Sequence, residues 1–334
     1  FGFGDKRLFA LLLGFVFLIE VSSFWAFDSF QAFMTMIRFV EFLVFYLLVI
    51  NTRCSLRFLV KLLLFVVTFQ ALIGIFQYIF QSSLGLSFFG EPFLKIDLPG
   101  IAKVDLGAMK FLRSYGTFAH PNIFGGFLVF GLALAFSRLS EDRFLYTTLM
   151  VVMIIALVLT FSRSAWLALL FASIFYVFVT KPRLKIKYIV LVLAVFLLFL
   201  VAFDLDKLFL SRVVPTADSA LMKRVEYTEI SRNMFLGHPF GVGIGNFTLE
   251  MQSFFDQKLS PWDLQPVHNV FLLAVNEVGF IIFPLFMLIF VYSFIAVFKK
   301  GQQFVSGGDR RYGVLLLGLF FALMTISNLD HYPF

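Results

Sequence analysis

Apolar residues in this chain run in long blocks rather than in alternation. Nine blocks stand out, at 8–27, 29–50, 58–81, 122–137, 144–161, 164–180, 187–203, 268–298 and 312–328. A helix needs about 20 apolar residues to cross the hydrocarbon core of a bilayer. Most blocks approach that length, and the short ones at 122 and 187 borrow flanking residues. The pattern predicts an all-α integral membrane fold of about nine transmembrane helices, a single polytopic domain over residues 1–334. Two connections are long, 82–121 and 204–267; in the second, Leu221, Val225 and Thr228 share one side of a helix expected over 221–235, with Arg224 available to point inward. The first block is too long and too well flanked for a cleaved signal peptide. Because the chain opens on Phe1 and stops at Phe334 just past a block, further helices are expected beyond its ends.

Composition agrees: 60% of residues are hydrophobic, 14% are charged and 51 are phenylalanine, far from the average of soluble domains. Short cytoplasmic loops retain Lys and Arg. Alternate connections hold Lys6 and Arg7, Arg53 and Arg57, Arg138 and Arg143, Lys181 to Lys187, and Lys299 to Arg311, so that set is expected to face the cytoplasm. The turn at residue 28, both long loops and the turn at 162 then lie outside. The net charge of +7 is spread over short loops and follows topology, with no nucleic-acid signature. His120, His238, His268 and His331 all fall on the outer side, where an imidazole suited to proton transfer near neutrality would work. Cys54, the single cysteine, falls in a cytoplasmic loop, so neither outer loop carries a disulfide.

Polar residues cluster in four places on that outer side. In "RSYGTFAHPN", residues 113–122, Pro121 suits a first helical position, because its missing N–H would be unpaired there. His120 and Asn122 then sit at the water boundary, as caps or as part of a site. In "LTFSRSAWLAL", Arg163 is the one charge between Arg143 and Lys181, on a tight turn at 162–164. An arginine there runs against the positive-inside tendency; it either snorkels to lipid phosphate or clamps an anion with its forked guanidinium. In "GHPFGVGIGNF" the glycines look like a dinucleotide-binding turn only superficially, without the strand–turn–helix context, and a tight return is expected. In "PVHNVFLLAVNEVGF", His268 opens the eighth span, Asn269 and Asn276 share a helix face, and Glu277 lies about 13 Å deeper than His268, suiting it to packing behind a site.

These segments, in this order, resemble the O-antigen ligase and polymerase superfamily of bacterial polytopic glycosyltransferases. The resemblance rests on Arg113 to Asn122, Ser162 with Arg163, Arg224 followed by Pro239 to Phe247, and His268 with Asn269, and covers about residues 110–334. It implies transfer of a glycan from undecaprenyl diphosphate to an acceptor hydroxyl on a lipid, glycan or protein, at the outer face of the cytoplasmic membrane. The expected enzyme is a metal-independent, inverting, O-antigen ligase-like transferase without cofactor; an O-antigen-type polymerase or a protein O-oligosaccharyltransferase is the alternative. His268 would be the catalytic base. Arg163, Arg224 and Arg113 would bind the diphosphate, whose own low pKa calls for positive charge more than for an acid. His120, Asn122, Asn269 and Tyr227 would support them.

Three further readings bear on that expectation. Asp204 and Asp206 in "FDLD" could share a divalent ion, but charged residues commonly mark a helix leaving the membrane, and no metal is expected. Arg38 and Glu41 are three apart on the second span and are expected to pair. A lipid-linked glycan flippase using Glu20, Arg38, Glu41 and Glu277 as a polar route is the rival from another class; it would suit internal repeats, which the sequence lacks.

Overall fold

A computed structural model describes residues 2–106, 109–180, 219–256, 258–260, 263–306, 320, 323 and 327. Among them are α1 (Lys6–Ser22), α2 (Ser29–Asn51), α3 (Leu56–Phe80), strands β1 (Lys103–Leu106) and β2 (Met109–Leu112), α4 (Pro121–Ser137), α5 (Arg143–Leu159), α6 (Arg163–Thr180), α7 (Ser219–Gly237), α8 (Phe247–Met251) and α9 (Val270–Ser306). The described apolar blocks are all helical. Lys6–Trp25, Ser29–Asn51, Leu56–Phe80 and Val270–Gly301 are long and apolar enough to cross a membrane, while α4, α5 and α6 contribute shorter apolar helices. The expected span at 187–203 and the Asp204–Asp206 pair lie outside the described residues, and of the block at 312–328 only 320, 323 and 327 are described.

Helix starts are set by side chains that accept the orphan N–H groups of a first turn. Asp5 caps α1, Asp28 caps α2, Ser55 caps α3 and Asp142 caps α5. At α4 the cap is His120, whose Nδ1 accepts from the Asn122 N–H (3.1 Å), and Pro121 takes the first helical position as expected. Asn269 caps α9, its Oδ1 accepting from the N–H groups of Phe271 and Leu272 (2.9 and 3.0 Å).

The chain forms two compact units, one from residues 1–54 and 211–296, the other from 55–210 with 297–326. In the second, Val60, Leu64 and Val67 of α3 pack with Phe124, Leu128 and Leu132 of α4 and Met153 and Leu157 of α5. The 82–121 loop contains an antiparallel hairpin that pairs Lys103 with Leu112 and Leu106 with Met109. Residues just beyond the hairpin are bound to the end of the helices: the Arg113 Nε donates to the Thr160 carbonyl (2.6 Å) and the Ser114 N–H to that of Leu159 (2.9 Å). The C-terminal ends of α3 and α5 and the N-terminal ends of α4 and α6 thus share one end of this unit. At the other end, a hydrogen bond from Arg138 holds the Glu141 carboxyl below its usual range, aided by the charges of Arg57 and Lys61.

The first unit has two cores. Phe15 and Ile19 of α1, Ala32 and Met36 of α2, and Val278 and Ile282 of α9 close around Ile244. Tyr227, Ile230 and Met234 of α7 pack with Val242, Phe247, Met251, Val267 and Leu273. Of the stripe read along α7 from sequence, Val225 is 67% exposed, Thr228 is also exposed, and the side chain of Leu221 lies outside the described set. A 3.6-residue period fits both stripes, and the one carrying Tyr227 and Met234 has more apolar surface to bury. Arg38 and Glu41 differ from expectation. Among the described residues the ion pairs are Arg138–Glu141, Lys223–Asp263 and His238–Glu250. On α2 only Ala32 and Met36 are buried, and Arg38 and Glu41 are both exposed.

Candidate active site

In the unit containing α3 to α6, the polar residues gather at one turn. Phe161 adopts a left-handed φ of 48°, the Ser162 Oγ accepts from the Ala165 N–H (3.4 Å), and α6 begins directly at Arg163. The turn is therefore Thr160–Ser162 rather than 162–164, and Arg163 is the first residue of α6, with an exposed side chain. Arg113 braces this turn from behind. Besides its bond to Thr160, its Nη2 donates to the Asn122 Oδ1 (2.8 Å), tying the turn to the start of α4.

What holds Arg113 in place was not legible as a motif. Gln70 and Gln77 lie on one face of α3, Gln81 stands just past its C-terminal end, and all three grip the 112–117 backbone. Gln77 Oε1 accepts from the N–H groups of Tyr115 and Gly116, and its Nε2 donates to the Gly116 carbonyl (2.8 Å) and to Glu91. Gln70 Oε1 accepts from the Thr117 N–H (2.9 Å), and Gln81 Oε1 from that of Leu112 (2.7 Å). Tyr115 is buried, its hydroxyl accepting from the Ala102 N–H (2.6 Å), and burial pushes its phenol above the usual range. Spacings of seven and four were the available signal, but glutamine in an apolar helix does not announce its acceptors.

In the unit containing α7 to α9, Tyr227 and Lys223 both fix Asp263. The Tyr227 hydroxyl donates to the Asp263 carbonyl (2.6 Å), and the Lys223 Nζ pairs with the Asp263 carboxylate (2.6 Å). Burial raises the Tyr227 phenol and the bond to Asp263 raises the Lys223 ammonium. This anchors on α7 the segment that leads to His268 and Asn269. Arg224, one turn before Tyr227 and Thr228, is half-buried, as is His268. His268 stands immediately before the Asn269 cap, where α9 starts.

The glycine-rich return is a backbone junction. Gly279 interrupts α9 with φ 74° and ψ 172°, a conformation essentially restricted to glycine. The Val242 and Gly243 N–H groups donate to the freed carbonyls of Asn276 and Glu277 (2.9 Å each), and the Phe280 N–H donates to the Pro239 carbonyl (2.9 Å). On its other side the return receives the Phe27 N–H at the Val242 carbonyl (2.8 Å) and the Trp25 indole N–H at Phe240 (3.2 Å). A Cβ on Gly241, whose φ is 91°, would lie 2.5 Å from the Glu277 carbonyl oxygen. Glu277 itself is buried, its carboxylate accepting from the N–H groups of Gly245 and Phe247. Those amides have protein acceptors, as a structural return requires and a phosphate cradle would not. Asn276 faces away from Asn269's capping role, donating to the Ser231 hydroxyl (2.7 Å). Next to the return, His238 Nε2 lies 3.2 Å from the buried carboxylate of Glu250. Among the described residues, no three His, Cys, Asp or Glu side chains gather as a metal site would require.

Residues 148–287 match the family described as O-Antigen ligase. This match supports membership of the O-antigen ligase superfamily. The matched O-antigen ligase segment runs from α5 into α9 and contains Arg163, Arg224, Tyr227, His268 and Asn269; Arg113, His120 and Asn122 precede it. The match suggests a bacterial membrane protein of glycosyltransferase type, a family whose partners in general are a lipid-linked glycan and an acceptor. No curated protein matches the chain.

Proposed function

We propose that this protein transfers a glycan from undecaprenyl diphosphate to an acceptor hydroxyl at the outer face of the cytoplasmic membrane. The observation that carries the reading is the O-antigen ligase match over 148–287, which takes in Arg163, Arg224 and His268. Diphosphate is a good leaving group once its charge is met, and guanidinium stays protonated at any working pH. Arg163 presents that charge at the first turn of α6, where the helix N-terminus adds partial positive charge. Arg224 does so from α7, and Arg113 contributes its charge from behind the turn. His268 takes the proton of the attacking hydroxyl, with Asn269 and Tyr227 fixing its segment. His120 and Asn122 order the start of α4. Attack opposite the diphosphate inverts the anomeric centre, and no metal is required for it.

The test is reconstitution in vesicles with undecaprenyl-diphosphate oligosaccharide and a hydroxyl acceptor. Glycan joined to acceptor supports transfer; carrier moved across the bilayer but left intact supports the flippase alternative and ends this reading. Products that lengthen on the carrier itself would identify a polymerase. His268→Ala and Arg224→Ala are expected to insert normally and to abolish transfer, and wild-type rates in both would contradict the assigned roles.

A further inference from the structure

Residues 82–95 form a closed lobe beside the C-terminal end of α3. Ser82 and Lys95 meet in an antiparallel bridge, and the Ser83 N–H donates to the Leu94 carbonyl (3.1 Å). Inside the lobe Glu91 is buried. Its Oε1 accepts from the Leu84 N–H (2.7 Å) and from Gln77 Nε2 (2.8 Å), and its Oε2 accepts from the Leu86 N–H (2.6 Å). The phenylalanines point the other way: Phe88 is 92% exposed, Phe93 72% and Phe89 64%. The rings of Phe88 and Phe89 pack edge to face with centroids 5.4 Å apart. A loop bathed in water would do the reverse, hiding the phenylalanines and showing the carboxylate. Here the carboxylate staples a compact loop of Ω type and leaves an aromatic tip uncovered.

The depth of that tip follows from Gln77. It lies in the last turn of α3, which ends at Phe80, so its bond to Glu91 draws the lobe alongside the helix end. A helix of 25 residues is about 37 Å long, against about 30 Å of hydrocarbon. The final turn of α3 therefore lies where acyl chains meet head groups, the layer in which membrane proteins concentrate aromatic rings. Lys95, exposed at the base of the lobe, offers an ammonium to lipid phosphate.

We propose that residues 82–95 form a membrane-seated finger, with Phe88, Phe89 and Phe93 inserted among the outer-leaflet phospholipids at the level of the upper acyl chains. Gln77 binds the finger through Glu91 and the 115–116 backbone with the same amide. Bilayer and Arg113 segment are thereby referenced to one anchor. The proposal rests on α3 crossing the membrane and is independent of glycosyl transfer.

The single cysteine, exposed Cys54, makes the test direct. Nitroxide labels are attached at Phe88→Cys, Phe93→Cys and, as an aqueous control, Asp97→Cys, each on a Cys54→Ala background. The variants are placed in phosphatidylethanolamine–phosphatidylglycerol vesicles without any polyprenyl lipid. Collision with oxygen relative to a water-soluble nickel chelate should be several-fold higher at 88 and 93 than at 97. Equal ratios at the three positions would overturn the proposal. A rise only after adding polyprenyl diphosphate would assign the aromatics to the carrier instead, and dipolar broadening at 88 to a second copy; either result overturns bilayer seating.

Discussion

Arg113 is the residue whose removal should be felt furthest from its own position. Its guanidinium joins the strand after the hairpin to the ends of α4 and α5, and hydrogen bonds from a charged donor are the strong kind. Arg113→Ala is expected to cost on the order of 3 kcal/mol, seen as a lower unfolding midpoint in detergent, with Arg113→Lys recovering less than half because one ammonium cannot span both acceptors. Tyr227 and Lys223 give a pH-dependent counterpart. Both keep their protons in the folded protein where the unfolded chain begins to lose them. Their contribution is therefore complete below about pH 10 and is lost as pH climbs through the raised values. Hydrogen exchange over 263–268 should accelerate in that alkaline range, and Tyr227→Phe should flatten the change. The cap at His120 was legible because Pro121 marks a helix boundary from sequence neighbours alone, whereas Asn269, read only as sharing a face with Asn276, showed its capping role in the structure. The Gln77–Glu91 bond was not legible, since its partners meet only once the loop has folded back.

At the scale of elements, block length located the described apolar helices, although α1 stops at Ser22 where its block runs to 27 and α9 runs to Ser306 where its block ends at 298. The break in α9 escaped it: in "NEVGF" two polar residues and one glycine within a long apolar block do not reveal that the Asn276 and Glu277 carbonyls are taken by a distant loop. Gly279→Ala should be among the most damaging small substitutions, since a Cβ there would strike the Phe240 carbonyl and strain of this kind costs about 1–3 kcal/mol. Thermal unfolding would show it; an unchanged midpoint would mean that the junction tolerates a helical residue. Which face of α7 is buried was not legible, because two stripes fit one period and only packing against Val242, Val267 and Leu273 selects between them. The hairpin did carry a signal, "KVDL" and "MKFL" separated by Gly-Ala, in the alternation that strands use.

For the whole molecule, the alternation of basic loops predicts sidedness. In inside-out and right-side-out vesicles, an impermeant thiol reagent should reach Cys54 only from the cytoplasmic side, and Asp97→Cys, on a background lacking Cys54, only from the opposite side. Labelling of both from the same side would invert or break the topology. The glycine-rich return adds a constraint on how the chain is made. Its partners are residues 25–28, which leave the ribosome early, and residues 276–280, which follow some thirty positions after the return itself. Until α9 enters the translocon, the amides of Val242 and Gly243 have no acceptors and the cleft beside Ile244 stays open. A nascent chain arrested before residue 276 should be cut readily near 241 by an external protease, and one arrested after 306 should resist.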